Sequence, residues 1–147
     1  MKKLLFLALF AGLFTSSCDD LFDKGDVEKT YDGPAVVAFY PLQKTVRTST
    51  SPSTSVQVQL IGEQRSSDLS VTYQIGSAST AVAGTHYTLN VSPVTISGNT
   101  STADITIGLI DGALAAGQEV ALVLELQGSS DVPASENLKQ AVVYIRP

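Results

Sequence analysis

The sequence predicts an all-β protein of one domain, built as a sandwich of short antiparallel strands. Apolar side chains recur at every second residue along most of the chain after position 33, which is the pattern of strands with one buried face. Turns containing Gly, Pro, Asn or Asp separate these alternating segments,. Residues 33–147 are enough for one ordinary hydrophobic core,.

Seven segments alternate in this way and are the predicted strands. They are residues 36–40, 55–62, 69–76, 86–91, 102–110, 119–126 and 141–146. Seven short strands with regular turns predict an immunoglobulin-like antiparallel β-sandwich. The chain has a single cysteine and no tryptophan, so packing alone must join the two sheets. Tyr73 falls on the inward side of its segment and is expected in the core.

Residues 45–55, TVRTSTSPSTS, are rich in serine and threonine. Both flanks alternate as strands of one domain, so these residues are predicted to form a long loop rather than a linker. The segments NLKQ and GALAAG indicate at most a turn of helix each.

The first residues of the chain indicate export. Two lysines precede the apolar run 4–14, and small polar residues then lead to Cys18. The run is shorter than the roughly 20 residues that a transmembrane helix needs, which favours a signal peptide. Residues 1–17 are therefore predicted to be cleaved from the chain.

A signal segment that ends in small residues and cysteine resembles the lipoprotein signal of bacteria. Thr15 stands where that family usually has leucine, although relaxed versions are common among Bacteroidota lipoproteins. The resemblance implies that Cys18 is acylated and holds the protein at a membrane, stably when more than one acyl chain is attached. A free thiol or an intermolecular disulfide is the alternative.

Residues 18–32 are predicted to be a tether that begins with the lipidated cysteine. Residues 19–32 hold six acidic side chains and few large apolar ones, too few to fold. The four acids that follow Cys18 most closely resemble the surface-export signal of Bacteroidota lipoproteins. They are Asp19, Asp20, Asp23 and Asp26. This resemblance implies an outer-membrane lipoprotein exposed at the cell surface. A plain spacer is the alternative, and in enterobacteria Asp19 would instead imply retention at the inner membrane.

The net charge of the chain limits the kinds of partner that it can bind. Without Lys2 and Lys3 of the signal segment, seven basic side chains face 14 acidic ones, a net charge of −7. Nucleic acid requires clustered Lys and Arg, so we expect no nucleic-acid partner. The expected partners are the membrane, through the lipid on Cys18, and a glycan or protein ligand.

Residues 71–126 resemble a Calx-beta domain. The matching features are residues 81–87, AVAGTHY, for the family's Ala-x-x-Gly-x-Asp-Tyr, the Ser-Gly turn at 97–98, Asp111 and Glu119. The resemblance implies the same sandwich, and a similar layout occurs in uncharacterised domains of Bacteroidota surface lipoproteins. Calcium-binding members cluster carboxylates at one end, but His86 replaces the family's Asp here. A calcium ion needs about six to eight oxygen ligands, so we expect no metal and no cofactor.

The sequence gives little support for catalysis. His86 is the only histidine, and no second His or Cys could complete a zinc site with it,. No Gly-x-Ser-x-Gly motif is present,. We therefore expect a half-exposed His86 at the start of a strand, with Tyr87 packed beside it, and no enzyme. A small hydrolase that uses His86 is the remote alternative.

Exposed aromatic side chains are the best candidates for ligand binding. Phe39 and Tyr40 are neighbours on one strand and must face opposite sides, which makes Tyr40 a candidate together with Tyr31. We expect a non-enzymatic, lipid-anchored β-sandwich of the cell envelope, acting as a surface binding or adhesion module in nutrient or glycan capture. The alternative is a structural subunit or scaffold of a periplasmic or surface assembly, recognised through strand edges.

Overall fold

A computed structural model describes residues 31–89 and 92–147. Within these ranges the chain forms nine strands and no helix. The strands are β1 (Val36–Tyr40), β2 (Gln43–Arg47), β3 (Ser53–Ile61), β4 (Leu69–Ile75), β5 (Tyr87–Leu89), β6 (Val94–Ile96), β7 (Thr102–Leu109), β8 (Val120–Gly128) and β9 (Gln140–Arg146). The predicted signal peptide, Cys18, and the acids Asp19, Asp20, Asp23 and Asp26 lie outside the described residues.

The strands form two sheets. One has four strands in the order β1-β3-β7-β5, and the other has five in the order β2-β9-β8-β4-β6. Neighbours pair antiparallel except β2, which lies parallel to β9. The predicted β-sandwich is therefore confirmed. No helix in the described ranges is long and apolar enough to cross a membrane.

The strand count differs from the predicted seven, since β2 and β6 were not expected. A long loop was predicted for residues 45–55, but β2 extends to Arg47 and β3 begins at Ser53, so the loop comprises only residues 48–52. Only Val46 of β2 is both apolar and buried, so no alternation marks this edge strand. β6 has only three residues. The first three residues of NLKQ lie in a turn before β9, which begins at Gln140, and GALAAG lies in a loop that contains turns.

The core lies between the sheets and is built from the alternating positions. Many of these residues are β-branched, the type that packs well on a pleated sheet. The core includes Val37, Phe39, Val56, Val58, Leu60, Ile105, Ile107, Leu122, Leu124, Leu126, Val143 and Ile145. Tyr73 and Tyr87 are buried as expected, and burial raises the pKa of both phenol groups.

The chain crosses from one sheet to the other directly after Tyr40. β1 pairs with residues 57–61 of β3, and β2 then joins β9 in the second sheet. The first half of β3, residues 53–56, pairs with β7 on one side only. Its other edge has no strand beside it among the described residues.

Residues 129–135, after β8, form hydrogen bonds with β1 along the edge that faces away from β3. Val37 N–H donates to Pro133 O at 3.0 Å, and Ser135 N–H donates to Val37 O at 2.9 Å. Val37 and Ala134 form a parallel bridge. β1 is thus fixed between β3 and this segment, which we call the β8–β9 clamp.

Candidate functional site

Tyr40 is an exposed aromatic side chain at the end of β1, which is paired with β3. It is 62% exposed, whereas its neighbour Phe39 is 2% exposed in the core. The two side chains point to opposite faces of β1, as the sequence predicted for neighbours on a strand. Burial of Phe39 therefore fixes the outward direction of Tyr40.

Tyr40 lies in a row of polar side chains across the outer face of the four-stranded sheet. Tyr40 pairs with Gln57 on β3, and Gln57 pairs with Asp104 on β7. The next row contains Gln59 and Thr102. Gln59 Nε2 donates to Gln57 Oε1 at 2.7 Å. We call these five residues the sheet platform.

The sheet platform combines the groups that a polyhydroxylated ligand requires. The ring of Tyr40 offers an apolar face with a polar tip. Gln57 and Gln59 supply amide donors and acceptors, and the exposed carboxylate of Asp104 accepts hydrogen bonds,. Side chains directly opposite on paired strands lie about 5 Å apart at Cβ, so a single ligand can touch neighbouring members.

Sequence reasoning found Tyr40 but not the rest of the platform. The alternation in β3 does place Gln57 and Gln59 on its polar side. Their position beside Tyr40 depends on the register between β1 and β3, and no turn between adjacent strands sets that register.

Tyr31, the other predicted candidate, lies apart from the sheet platform. It is 51% exposed, and its hydroxyl donates to Pro34 O at 3.0 Å. Tyr31 precedes the first residue of β1, whereas Tyr40 is the last. Tyr31 thus lies five residues before Val36, where β1 begins, and is not part of the strand that carries Tyr40.

His86 is partly buried directly before β5, in agreement with the expected location. Its Nδ1 atom accepts a hydrogen bond from the backbone N–H of Val82 at 2.9 Å, and the backbone N–H of His86 donates to Val82 O at 2.9 Å. These bonds close the turn that precedes β5. The Nδ1 lone pair is thus used in a hydrogen bond to the backbone. His86, which stands where the Calx-beta pattern has aspartate, therefore has a structural role.

The carboxylates that match the Calx-beta pattern make contacts within the protein. Asp111 Oδ1 accepts the Thr48 hydroxyl at 2.8 Å, and Thr48 is a buried polar residue, 8% exposed. Glu119 forms an ion pair with Arg146. Within residues 31–89 and 92–147, no three His, Cys, Asp or Glu side chains lie close enough together to hold a metal.

Comparison with known proteins identifies the fold. No family model and no curated protein sequence matches the chain. The apo form of the Calx CBD1 domain is similar at a TM-score of 0.64 and 21% identity, over 78% of this chain and 97% of that one. CBD12 from CALX1.2 gives 0.61 and 22%, over 74% of this chain and 42% of that one.

A third similar structure comes from Bacteroides ovatus ATCC 8483 and is named a "putative carbohydrate binding protein". Its TM-score is 0.59 at 15% identity, over 76% of this chain and 36% of that one. The chain thus spans less than half of CBD12 and of the Bacteroides protein, but nearly all of the single CBD1 domain. Residues 31–89 and 92–147 therefore form a β-sandwich with a Calx-beta-like fold.

Proposed function

We propose that this protein is a non-enzymatic, lipid-anchored binding module of the cell envelope that captures glycans on its sheet platform. The observation that carries the proposal is the position of Tyr40. Among the large apolar side chains of the described residues that are exposed, Tyr40 is the most exposed, at 62%. It stands on a paired strand beside Gln57 and in one row with Asp104.

The chemistry of a sugar ring suits this arrangement. A pyranose has an apolar face of C–H groups that can stack on the ring of Tyr40, and its hydroxyls can bond to amide and carboxylate groups at the edge. Because β1 is paired with β3 and held by the β8–β9 clamp, Tyr40 is already ordered before binding. A preordered site loses less conformational entropy when the ligand binds.

The similarity to the Bacteroides ovatus protein agrees with this class of ligand. The printed name of that protein refers to carbohydrate binding, and this chain has the same sandwich fold. The name is support from a distant relative, since the two sequences are only 15% identical.

Tyr40→Ala is expected to weaken binding of a soluble polysaccharide by about tenfold or more, because a few aromatic anchors carry most of the energy of a binding site. Tyr40→Phe keeps the ring and is expected to retain binding. Tyr31→Ala is the matched control, since it removes another exposed tyrosine away from the platform. Affinity electrophoresis against a panel of neutral and acidic polysaccharides measures the effect. Equal binding by Tyr40→Ala and the unchanged protein, or no binding to any polysaccharide, would overturn the proposal.

The proposed location is the outer membrane, with the domain exposed at the cell surface. Support comes from the sequence: a signal-like segment, the lone Cys18 and the acids Asp19, Asp20, Asp23 and Asp26. In this proposal Cys18 carries the lipid, residues 18–32 hold the domain away from the membrane, and residues 33–147 present the platform.

Cys18→Ser is expected to move the protein from the membrane fraction to the soluble fraction, because the acyl chains supply the membrane affinity. Protease added to intact cells is expected to digest the unchanged protein but not a periplasmic marker. Replacing the four export-signal aspartates by asparagine should then protect the domain while leaving it in the membrane fraction. Protection of the unchanged protein would contradict surface exposure, and membrane retention of Cys18→Ser would contradict the anchor.

A further inference from the structure

A polar groove of about 740 Å³ lies between β2 and the first half of β3. It opens where β1 has left the four-stranded sheet and β2 has joined the other one. Its lining includes Lys44, Thr45 and Arg47 from β2, and Ser53, Thr54 and Ser55 from β3. We call it the edge groove.

The unpaired edge of β3 faces this groove. Along β3 successive backbone groups point to alternate sides. Pro52 O accepts the N–H of Leu109, and Leu60 N–H donates to Ser101 O, so the even-numbered residues point towards β7. The amide groups of Ser53 and Ser55 therefore point the other way, into the edge groove.

The outer edge of β2 faces the same groove. Leu42 O accepts the N–H of Val142, and Thr48 N–H donates to Arg146 O, so the even-numbered residues point towards β9. The amide groups of Thr45 then point away from the sheet. Two strand edges without a strand partner in the described ranges thus line one groove, and unpaired edges of this kind are templates for adding a strand.

Positive charge is concentrated at the same place. Three of the five Lys and Arg side chains in the described residues form ion pairs, namely Arg65 with Asp131, Lys139 with Glu136 and Arg146 with Glu119. The other two are Lys44 and Arg47, and both line the edge groove. No described carboxylate lines it, although the protein as a whole is acidic.

Lys44 is placed to select what enters the groove. It lies on the same side of β2 as buried Val46, and its Nζ donates to Ser55 O at 3.4 Å across the groove. An inward-pointing lysine at a sheet edge opposes pairing with a neutral strand. An incoming carboxylate would instead form an ion pair with Lys44. Thr54 Oγ1, also at the groove, is buried with no hydrogen-bond partner in the described part of the chain.

We propose that the edge groove binds an extended, acidic segment of a partner protein by strand addition. The backbone of the segment pairs with Ser53 and Ser55 or with Thr45, and its carboxylates pair with Lys44 and Arg47. An anionic glycan would use the two cations but would leave the strand edges unpaired, and no aromatic ring of the described residues lines the groove for stacking. The proposal is independent of the sheet platform, which lies on the outer face of the sheet.

The test uses the full-length protein in detergent micelles and the fluorescent peptide TEVETEVE as the probe. Fluorescence polarisation is expected to show saturable binding that weakens as salt rises, because the ion pairs are solvent-accessible. The same peptide with lysine in place of glutamate, or with N-methyl groups on alternate amides, is expected not to bind. Failure of TEVETEVE to bind would overturn the proposal. Equal binding of the N-methylated peptide would also overturn it. So would displacement of TEVETEVE by polygalacturonate, because either outcome would indicate a simple anion site.

Variants locate the binding in the groove. Arg47→Gln is expected to weaken binding about fivefold, the effect of losing one exposed ion pair. Lys139→Gln is the matched control, since it removes the same charge from a pair outside the groove. Ser53→Pro removes an amide that points into the groove and leaves the β7 ladder intact, because proline is tolerated at an edge; we expect lost binding at an unchanged melting temperature. Unchanged binding of Arg47→Gln and Ser53→Pro would refute the site, and Tyr40→Ala should bind the peptide normally.

Discussion

Replacing Phe39 with alanine is expected to lower the free energy of unfolding by about 3–5 kcal/mol, the cost of truncating a buried phenylalanine. The reason is its position on the inward face of β1, at 2% exposure, within the main core cluster. The remaining cavity would lie between β1 and the opposite sheet. Urea denaturation followed by circular dichroism measures the change.

Tyr40→Ala is the matched comparison, because it removes an aromatic ring from the next residue of the same strand. At 62% exposure, its loss is expected to change the free energy of unfolding by less than about 0.5 kcal/mol. A shift of one residue in the pairing of β1 would exchange the two faces. Similar losses in the two variants would therefore contradict the orientation of β1 on which the sheet platform depends. A small loss in Tyr40→Ala also shows that reduced glycan binding is not caused by unfolding.

Alternation in the sequence was sufficient to predict seven of the nine strands in the described residues, but not β2 and β6, the two edge strands of the five-stranded sheet. In β4 from Leu69 to Tyr73, and in β7 from Thr102 to Ile107, every second side chain is buried or half-buried, so these stretches alternate clearly. β2 reads QKTVR, and Val46 is its only buried residue. Its place in the sheet depends on pairing with β9 through backbone groups, and backbone pairing leaves no mark on the side-chain pattern. The same limit explains why a loop was predicted there.

The candidate sites show a similar limit. The outward direction of Tyr40 could be predicted because Phe39 and Tyr40 are neighbours on one strand and must point to opposite faces. The row that joins Tyr40 to Gln57 and Asp104 depends on registers between strands that are distant in the sequence, where no turn connects neighbours. The edge groove depends on the point at which the chain changes sheets, between β1 and β2. Packing of the whole sandwich decides that point.

Both sites rely on the path of β1, and the β8–β9 clamp holds that path. Val37 exchanges hydrogen bonds with Pro133 and Ser135 on one side, while β3 pairs with β1 on the other. If the clamp moved, β1 would lose one of its two partners. Tyr40 would then be carried by a less ordered strand.

Gly128→Ala is expected to lower the free energy of unfolding by about 3 kcal/mol, because it combines backbone strain with steric overlap. Gly128 ends β8 and begins the turn into the clamp, with φ of +80°. A Cβ atom there would lie 2.8 Å from Ala134 N and 2.8 Å from Val132 O. Both are backbone atoms of the clamp, so the clamp itself must shift. Urea denaturation measures the loss, and weaker polysaccharide binding under native conditions is expected to accompany it.

Gly117→Ala separates the two causes. Gly117 has nearly the same φ, +83°, but a Cβ atom there meets nothing within 4 Å. This variant therefore carries only the cost of a left-handed backbone, about 1 kcal/mol, and should bind polysaccharide normally. The difference between the two variants measures the overlap with the clamp. If both variants lose the same free energy of unfolding, the clamp can shift without cost and does not fix β1. A larger loss in Gly128→Ala, together with weaker polysaccharide binding, would show that the turn after β8 keeps Tyr40 ordered.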